Sequence, residues 1–318
     1  MSARPSMTSL ANEYLDFRKQ LGFGLKTVGQ LLIHFAKYAD QTGHRGPMTT
    51  ELAIRWAALA RTASGSHRAC RLNVVRGFAR FRALFDHETE IPPNDVFGPP
   101  YRRRVPYIFS PSELTTLLQK AQRLPPEGSL RPQTFSTFFG LLACTGLRNR
   151  EARRLTRADV EFGRRLLHIR ETKFRKSRLV PLHDSTVRTL ESYARMRDQC
   201  HPIARTDAFF VTLRGTPLSP SAVEWAFSRL REQLTWRGGS DRNLPRVHDF
   251  RHTFACQRLL EWYEQGVDVN HAVAALSTYL GHVDVNHTYW YLTGTPELLE
   301  RAGSRFEQFT ITNTGDAS

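Results

Sequence analysis

One stretch of this 318-residue chain alternates apolar and polar side chains as a strand must. It runs from 159 to 183, where Val160 and Phe162, then Leu167 and Ile169, then Val180 and Leu182 hold a period of two. That period turns successive side chains to opposite faces, so these six mark the apolar face of three short strands. Gly163-Arg164-Arg165 supplies the first turn; Glu171 to Ser177, containing Lys173, Arg175 and Lys176, supplies the second. Connections this short join antiparallel neighbours. A basic hairpin tip suits insertion against DNA, or is an ordinary exposed turn. Such a small sheet needs helices to complete a core. The chain is therefore expected to be mainly α.

The rest of the sequence supplies those helices. Leu10, Tyr14, Phe17 and Leu21 keep a helical period that Gly22 and Gly24 stop. Leu31, Leu32, Phe35 and Tyr38 begin a second stripe, Leu52, Ile54, Trp56 and Leu59 a third, and Leu72, Val75, Phe78, Phe81 and Leu84 a fourth. Residues 1–90 are read as a helical domain. Residues 91–106, with Pro92, Pro93, Pro99, Pro100, Pro106 and Arg102-Arg103-Arg104, read as a linker, either a basic strap on a nucleic acid or a plain spacer. A second domain, 107–318, opens on Ser110-Pro111-Ser112-Glu113, a capping box with proline at the first helical position. Further helices are expected over 134–144, over 184–197, after Ser219-Pro220 and from His248.

The formal net charge is +15, which points to a polyanionic partner, nucleic acid first; a basic but unrelated enzyme is the alternative. Residues 1–105 hold 16 Lys and Arg against 8 Asp and Glu, so eight of the fifteen charges sit in a third of the chain. Arg68, Arg71, Arg76, Arg80 and Arg82 on the fourth helix are phosphate contacts or a solvated face. Cys70, Cys144, Cys200 and Cys256 are widely spaced, with no Cys-x-x-Cys pair, which argues against a structural zinc site or disulfide scaffold and fits a reducing cytoplasm. The first residues lack an apolar signal core, and the apolar run 135–147 is too short for a bilayer, so a cytoplasmic protein without a membrane partner is expected.

The chemistry concentrates late in the chain. His248-Asp249-Phe250-Arg251-His252 places His248 and Arg251 three apart, on one helix face. Leu280-Gly281-His282 follows, and Tyr291 lies nine residues after His282. Earlier, Thr145-Gly146-Leu147-Arg148-Asn149-Arg150-Glu151 holds Arg148 in a turn between two helices. Imidazoles, guanidiniums and a phenol gathered together suit attack of a phenolate on a phosphodiester, with fixed donors on the non-bridging oxygens. Each has an ordinary alternative: a core histidine, an ion pair of Arg251 with Asp249, a helix cap, aromatic packing of Tyr291 beside Tyr289 and Trp290. His248 and His252 also imitate a zinc helix. Asp249 is one methylene short for that general base, however, Arg251 would set a cation beside the metal, and no third ligand stands out.

The order and spacing of these motifs resemble the tyrosine recombinase (phage integrase) family, specifically from Arg148 to Tyr291 and weakly in residues 1–105. The resemblance implies a SAM-like core-binding domain that clamps DNA, followed by a mixed α/β catalytic domain with a three-stranded antiparallel sheet. It implies a site-specific recombinase that cuts and rejoins DNA through a 3′-phosphotyrosyl link on Tyr291. Arg148 and Arg251 would hold the phosphate, His248 and His282 would add hydrogen bonds, and Lys173, eight residues before Pro181, would protonate the leaving oxygen. No metal and no cofactor are implied. The partners would be double-stranded DNA and three further copies of the chain, a tetramer on two sites, with the amphipathic tail 296–309 packing in cis or exchanged between neighbours. The length before the linker leaves no room for an arm-binding domain, so a chromosomal or transposon-borne recombinase is expected; Tyr-Trp-Tyr-Leu-Thr followed by Pro-Glu-Leu-Leu looks like transposon-associated members, and DNA integration and transposition are the processes this implies. Phe250 departs from the usual leucine and is expected to repack. A type IB topoisomerase-like or telomere-resolving enzyme shares the chemistry; a non-catalytic DNA-binding relative would not need all six residues.

Overall fold

Ser6 accepts the amide of Ser9 and starts α1, Met7–Gln20. Thr49 and Ser64 do the same for α3, Thr50–Ala58, and α4, Gly65–Arg82, while α2 spans Lys26–Gln41. The computed structural model describes residues 5–60, 64–99, 105–170, 177–234, 236, 244–281, 284, 285 and 288. The chain divides into two units, Met1–Arg104 and Val105–Ser318.

In the first unit the stripes read from the sequence meet as one core: Leu15, Leu32, Phe35, Trp56, Leu72, Val75 and Phe78 are buried together. The outermost members of the stripes, Leu21, Leu59 and Leu84, fall past the helix ends and are exposed. Neither expectation for the arginines of α4 describes Arg71 or Arg76. Arg76 is buried; its Nε donates to the carbonyl of Pro92 at 2.7 Å, its Nη2 to that of Pro93, and its Nη1 to Asn73 Oδ1 at 3.0 Å. Arg71 lies 3.9 Å over the Trp56 ring and donates to the Trp56 carbonyl at 2.9 Å. A proline-rich segment has carbonyls that no ladder uses, and a buried guanidinium satisfies them. Consequently residues 91–99 of the stretch expected as a spacer are folded onto this unit. Phe97 packs on its core, and Glu90 accepts the Thr50 amide at 2.8 Å.

The second unit begins with the capping box foreseen at Ser110. Its hydroxyl accepts the Glu113 amide at 3.2 Å, and Glu113 accepts the Ser110 amide at 2.7 Å, opening α5, Pro111–Ala121. The central helix is α6, Leu130–Thr145, four residues longer at its start than its apolar run suggests because Ser129 caps it there. It is apolar around its circumference because α5, α8 (Asp184–Cys200) and α10 (Asp249–Glu264) all pack on it. After the short α7, Asn149–Arg153, come the three strands β1, Val160–Glu161, β2, Leu166–Ile169, and β3, Arg178–Pro181. They are antiparallel in the order β1-β2-β3, with Leu167 opposite Val160 on one side and Val180 on the other. Leu167, Ile169 and Val180 face the core as the alternation requires; Phe162 and Leu182 lie just beyond the strand ends. Helices α9, Pro220–Glu232, and α11, Val269–Leu280, complete the unit. The fold is mainly helical with one small antiparallel sheet, and among the described residues no helix is long and apolar enough to cross a membrane.

Candidate active site

Gly146 ends α6 with φ +62, a conformation that costs other residues energy, and a Cβ there would lie 2.6 Å from Cδ1 of Phe254 on α10. The tight turn delivers Arg148 to the start of α7. Its backbone amide donates to Glu151 Oε2 at 3.0 Å and its Nη1 to Glu151 Oε1 at 2.8 Å. Arg148 also reaches the end of α11, with Nη2 donating to the Gly281 carbonyl at 3.0 Å and Nη1 to that of Leu280 at 3.5 Å.

Arg251 approaches the same place from α10. Its Nη2 donates to the Leu280 carbonyl at 2.7 Å and its Nη1 to the Gly146 carbonyl at 2.9 Å. The last carbonyls of a helix lack intrahelical partners and carry the negative end of its dipole, so guanidiniums are natural caps for α11. Those two acceptors are neutral. They fix the plane of the Arg251 guanidinium without cancelling its charge. Two cations that share one carbonyl oxygen are close neighbours, and a pair so held can grip two oxygens of one phosphate.

His248 precedes α10, with its ring edge-on to His252, centroids 4.8 Å apart. Part of its side chain meets solvent, yet the protein packed around it, then the positive charges of Arg251, Arg246 and Arg148, lower its imidazole to about 4. The three cations alone settle that direction, and the ring is neutral near pH 7. Asp249 is fully buried and is paired with Arg246, whose amide, Nε and Nη2 reach its carboxylate at 2.7, 3.3 and 3.0 Å. Asp249 therefore pairs with Arg246 instead of Arg251, the partner weighed from the sequence. Phe250 has repacked as expected, stacked on Phe109 and Phe139 at 5.0 and 5.7 Å.

Arg148, His248 and Arg251 are thus brought together. Lys173, His282 and Tyr291 lie outside the described residues, as does the tail 296–309; Leu280 and Gly281 of the Leu-Gly-His motif reach Arg148 and Arg251. Among the described residues no three His, Cys, Asp or Glu side chains gather as a metal site, and the His248–His252 pair sits in positive surroundings that disfavour a dication. Sequence reasoning missed Arg178. It opens β3 and holds Glu151 with two nitrogens, Nη2 at 2.9 Å and Nη1 at 3.2 Å. An arginine at a strand end reads as a solvated charge, and nothing local announces a partner 27 residues back. Burial would raise the Glu151 carboxyl, but hydrogen bonds and charge from Arg178, then Arg148, hold it at about 2.

Residues 108–297 match the model of the phage integrase family. The chain belongs to that family. It is 43% identical over 302 residues to the putative integrase/recombinase y4rB of Sinorhizobium fredii, covering 93% of this chain and 95% of that one. It is 28% identical over 221 residues to the tyrosine recombinase XerC of Chlamydia trachomatis serovar D, covering 70% and 64%. The Tn1549 transposon integrase, solved with transposon right end DNA, shares the fold at a TM-score of 0.65 and 17% identity, with 96% of this chain and all of that one covered. As a phage integrase family member the chain is a tyrosine recombinase, an enzyme of site-specific recombination that cleaves and rejoins DNA.

Proposed function

We propose that Arg148 and Arg251 form the clamp for the scissile phosphate and that Tyr291 is the nucleophile. The observation that carries this is the meeting of both guanidiniums on the Leu280 carbonyl, two residues before His282 and eleven before Tyr291. The phenolic oxygen of Tyr291 bonds to phosphorus as the bond to the 5′ oxygen breaks, leaving a 3′-phosphotyrosyl link. The phenolic proton passes to His248, whose ring is neutral near pH 7 and so has a nitrogen lone pair to receive it, though its lowered pKa makes it a weak base. Lys173 returns a proton to the departing 5′ oxygen, and His282 adds a donor to the phosphate. Charge on the non-bridging oxygens is met by arginines already fixed in place, so their reorganisation costs little in the transition state. Tyr279, three residues before His282, is the poorer candidate: burial pushes its phenol up to about 12, and it stacks on Phe254.

The substrate is double-stranded DNA, cut by a tetramer on two sites, with the unit Met1–Arg104 as a clamp on the duplex and the second unit carrying the chemistry. The +15 net charge and the helical first unit support this arrangement. Likeness to a transposon integrase supports transposition as the process, and four free cysteines suit a cytoplasmic setting.

Tyr291→Phe removes one oxygen and little volume, so folding and DNA binding should persist while the covalent adduct vanishes. Denaturing gels of a suicide substrate read this directly, with Tyr289→Phe expected to form the adduct normally. An adduct that survives Tyr291→Phe and disappears with Tyr289→Phe would move the nucleophile by two residues.

A further inference from the structure

Glu151 presents one negative charge to two arginines. Its side chain is 6% exposed and that of Arg178 13%, so little solvent screens them. Arg178 takes the carboxylate with two nitrogens, whereas Arg148 offers one side-chain nitrogen and its backbone amide. The third nitrogen of Arg178, Nε, donates to the Tyr279 carbonyl at 2.7 Å. All three nitrogens of Arg178 donate within the protein, two of them to a carboxylate, and its side chain is less exposed than that of Arg148. Its place is also cleared for it: Gly281 has φ +68, and a Cβ on Gly281 would come within 2.9 Å of Arg178 Nη1.

We infer that Arg178 is the charge-balancing residue of the phosphate clamp: by taking up the Glu151 carboxylate, it leaves the charge of Arg148 to the scissile phosphate. This rests on the proposal that Arg148 grips that phosphate. With Arg178 present the three side chains sum to a single positive charge. Without it, Arg148 and Glu151 form a neutral pair, and a carboxylate freed from one arginine draws the other into a two-point grip. Arg178 also stands at the base of the hairpin, opposite Ile169, and ties β3 to the start of α7 and the end of α11. It is a positioning residue by contact and an electrostatic one by effect. The low carboxyl pKa of Glu151, owed to Arg178 ahead of Arg148, agrees with this division.

The test is single-turnover cleavage of a suicide substrate at saturating enzyme, with thermal melts to check folding. Arg178→Gln should slow cleavage by about 10- to 100-fold, the scale on which loss of a preorganised charge acts, with DNA affinity little changed. Adding Glu151→Gln to that variant should recover much of the rate, because the uncompensated carboxylate is gone. A merely structural role predicts the opposite, since two lost partners are worse than one. A double variant as slow as Arg178→Gln, or Arg178→Gln cleaving at the wild-type rate, overturns the inference. Should Arg178→Gln fail to fold, Arg178→Lys decides: it keeps the charge but not the two-point grip, so it should cleave clearly faster than Arg148→Ala, and a loss as deep as that of Arg148→Ala overturns the inference. Arg148→Ala cleaving at the wild-type rate would overturn both this inference and the clamp beneath it, which tells the two failures apart.

Discussion

His248 and Glu151 are both held in the protonation state that suits a cationic site, His248 by burial and then by arginines, Glu151 by arginines that outweigh its burial. Their effects on stability have the same sign. His248 falls from an ordinary 6.5 to about 4, so the folded protein prefers the neutral ring; that contribution is complete above pH 6.5 and is lost as pH falls toward 4. Glu151 falls from 4.5 to about 2, so its contribution is complete above pH 4.5 and is lost as pH falls toward 2. Between pH 6.5 and 4.5 the decline therefore belongs to His248 rather than Glu151. The His248 ring proton, followed by NMR, should titrate with a midpoint well below 6.5. A midpoint at or above 6.5 would mean that burial and the three guanidiniums do not depress the ring, and the pH dependence assigned to His248 would fail.

At the scale of elements, the site depends on how two helices end. Gly146 closes α6 in the left-handed region with its carbonyl on Arg251, and the last carbonyl of α11 meets both Arg148 and Arg251. Gly146→Ala pays for the left-handed backbone and pushes against Phe254, and is expected to destabilise the protein by at least about 2 kcal/mol in urea titrations. Gly163, beside β1, has open space around its missing Cβ, and Gly163→Ala should stay within about 0.5 kcal/mol. Equal effects would show that the turn before Arg148 is not strained by a side chain. Such elements were largely legible in the sequence because their signals are local: Ser110 with Glu113, Gly146 at a helix end, the alternation of Leu167, Ile169 and Val180. Pairing between distant charges was not legible. Arg76 finds Pro92 and Pro93, and Arg178 finds Glu151, because folding brings them together, and periodicity carries no record of which cation meets which acceptor. The motif at Thr145–Glu151 showed Arg148; the resemblance implied its task, but only the packed structure showed what Glu151 does beside it.

At the scale of the whole molecule, charge is distributed unevenly between the two units. Residues 1–104 carry eight of the fifteen net positive charges in about a third of the length, so their charge density is more than twice that of residues 105–318. Part of this is structural, since Arg71 and Arg76 hold the unit together, but a guanidinium bound to a carbonyl still adds its charge to the surrounding field. A clamp on duplex DNA acts chiefly through phosphates, and each neutralised phosphate releases condensed counterions, so affinity should fall steeply as salt rises. A chain beginning at Val105 gives up more than half of the net charge while keeping Arg148, His248, Arg251, Glu151 and Arg178 in one unit. It should bind DNA much more weakly, with a shallower dependence of log affinity on log salt, and still form the covalent adduct when substrate is driven to saturation. Fluorescence anisotropy across a salt series, alongside adduct formation at high DNA concentration, measures both halves of this expectation. If the shortened chain binds with the affinity and salt slope of the whole, the first unit is not a clamp and its charge serves another partner. If it binds weakly but cannot form the adduct at saturation, the first unit contributes to the chemistry as well as the grip.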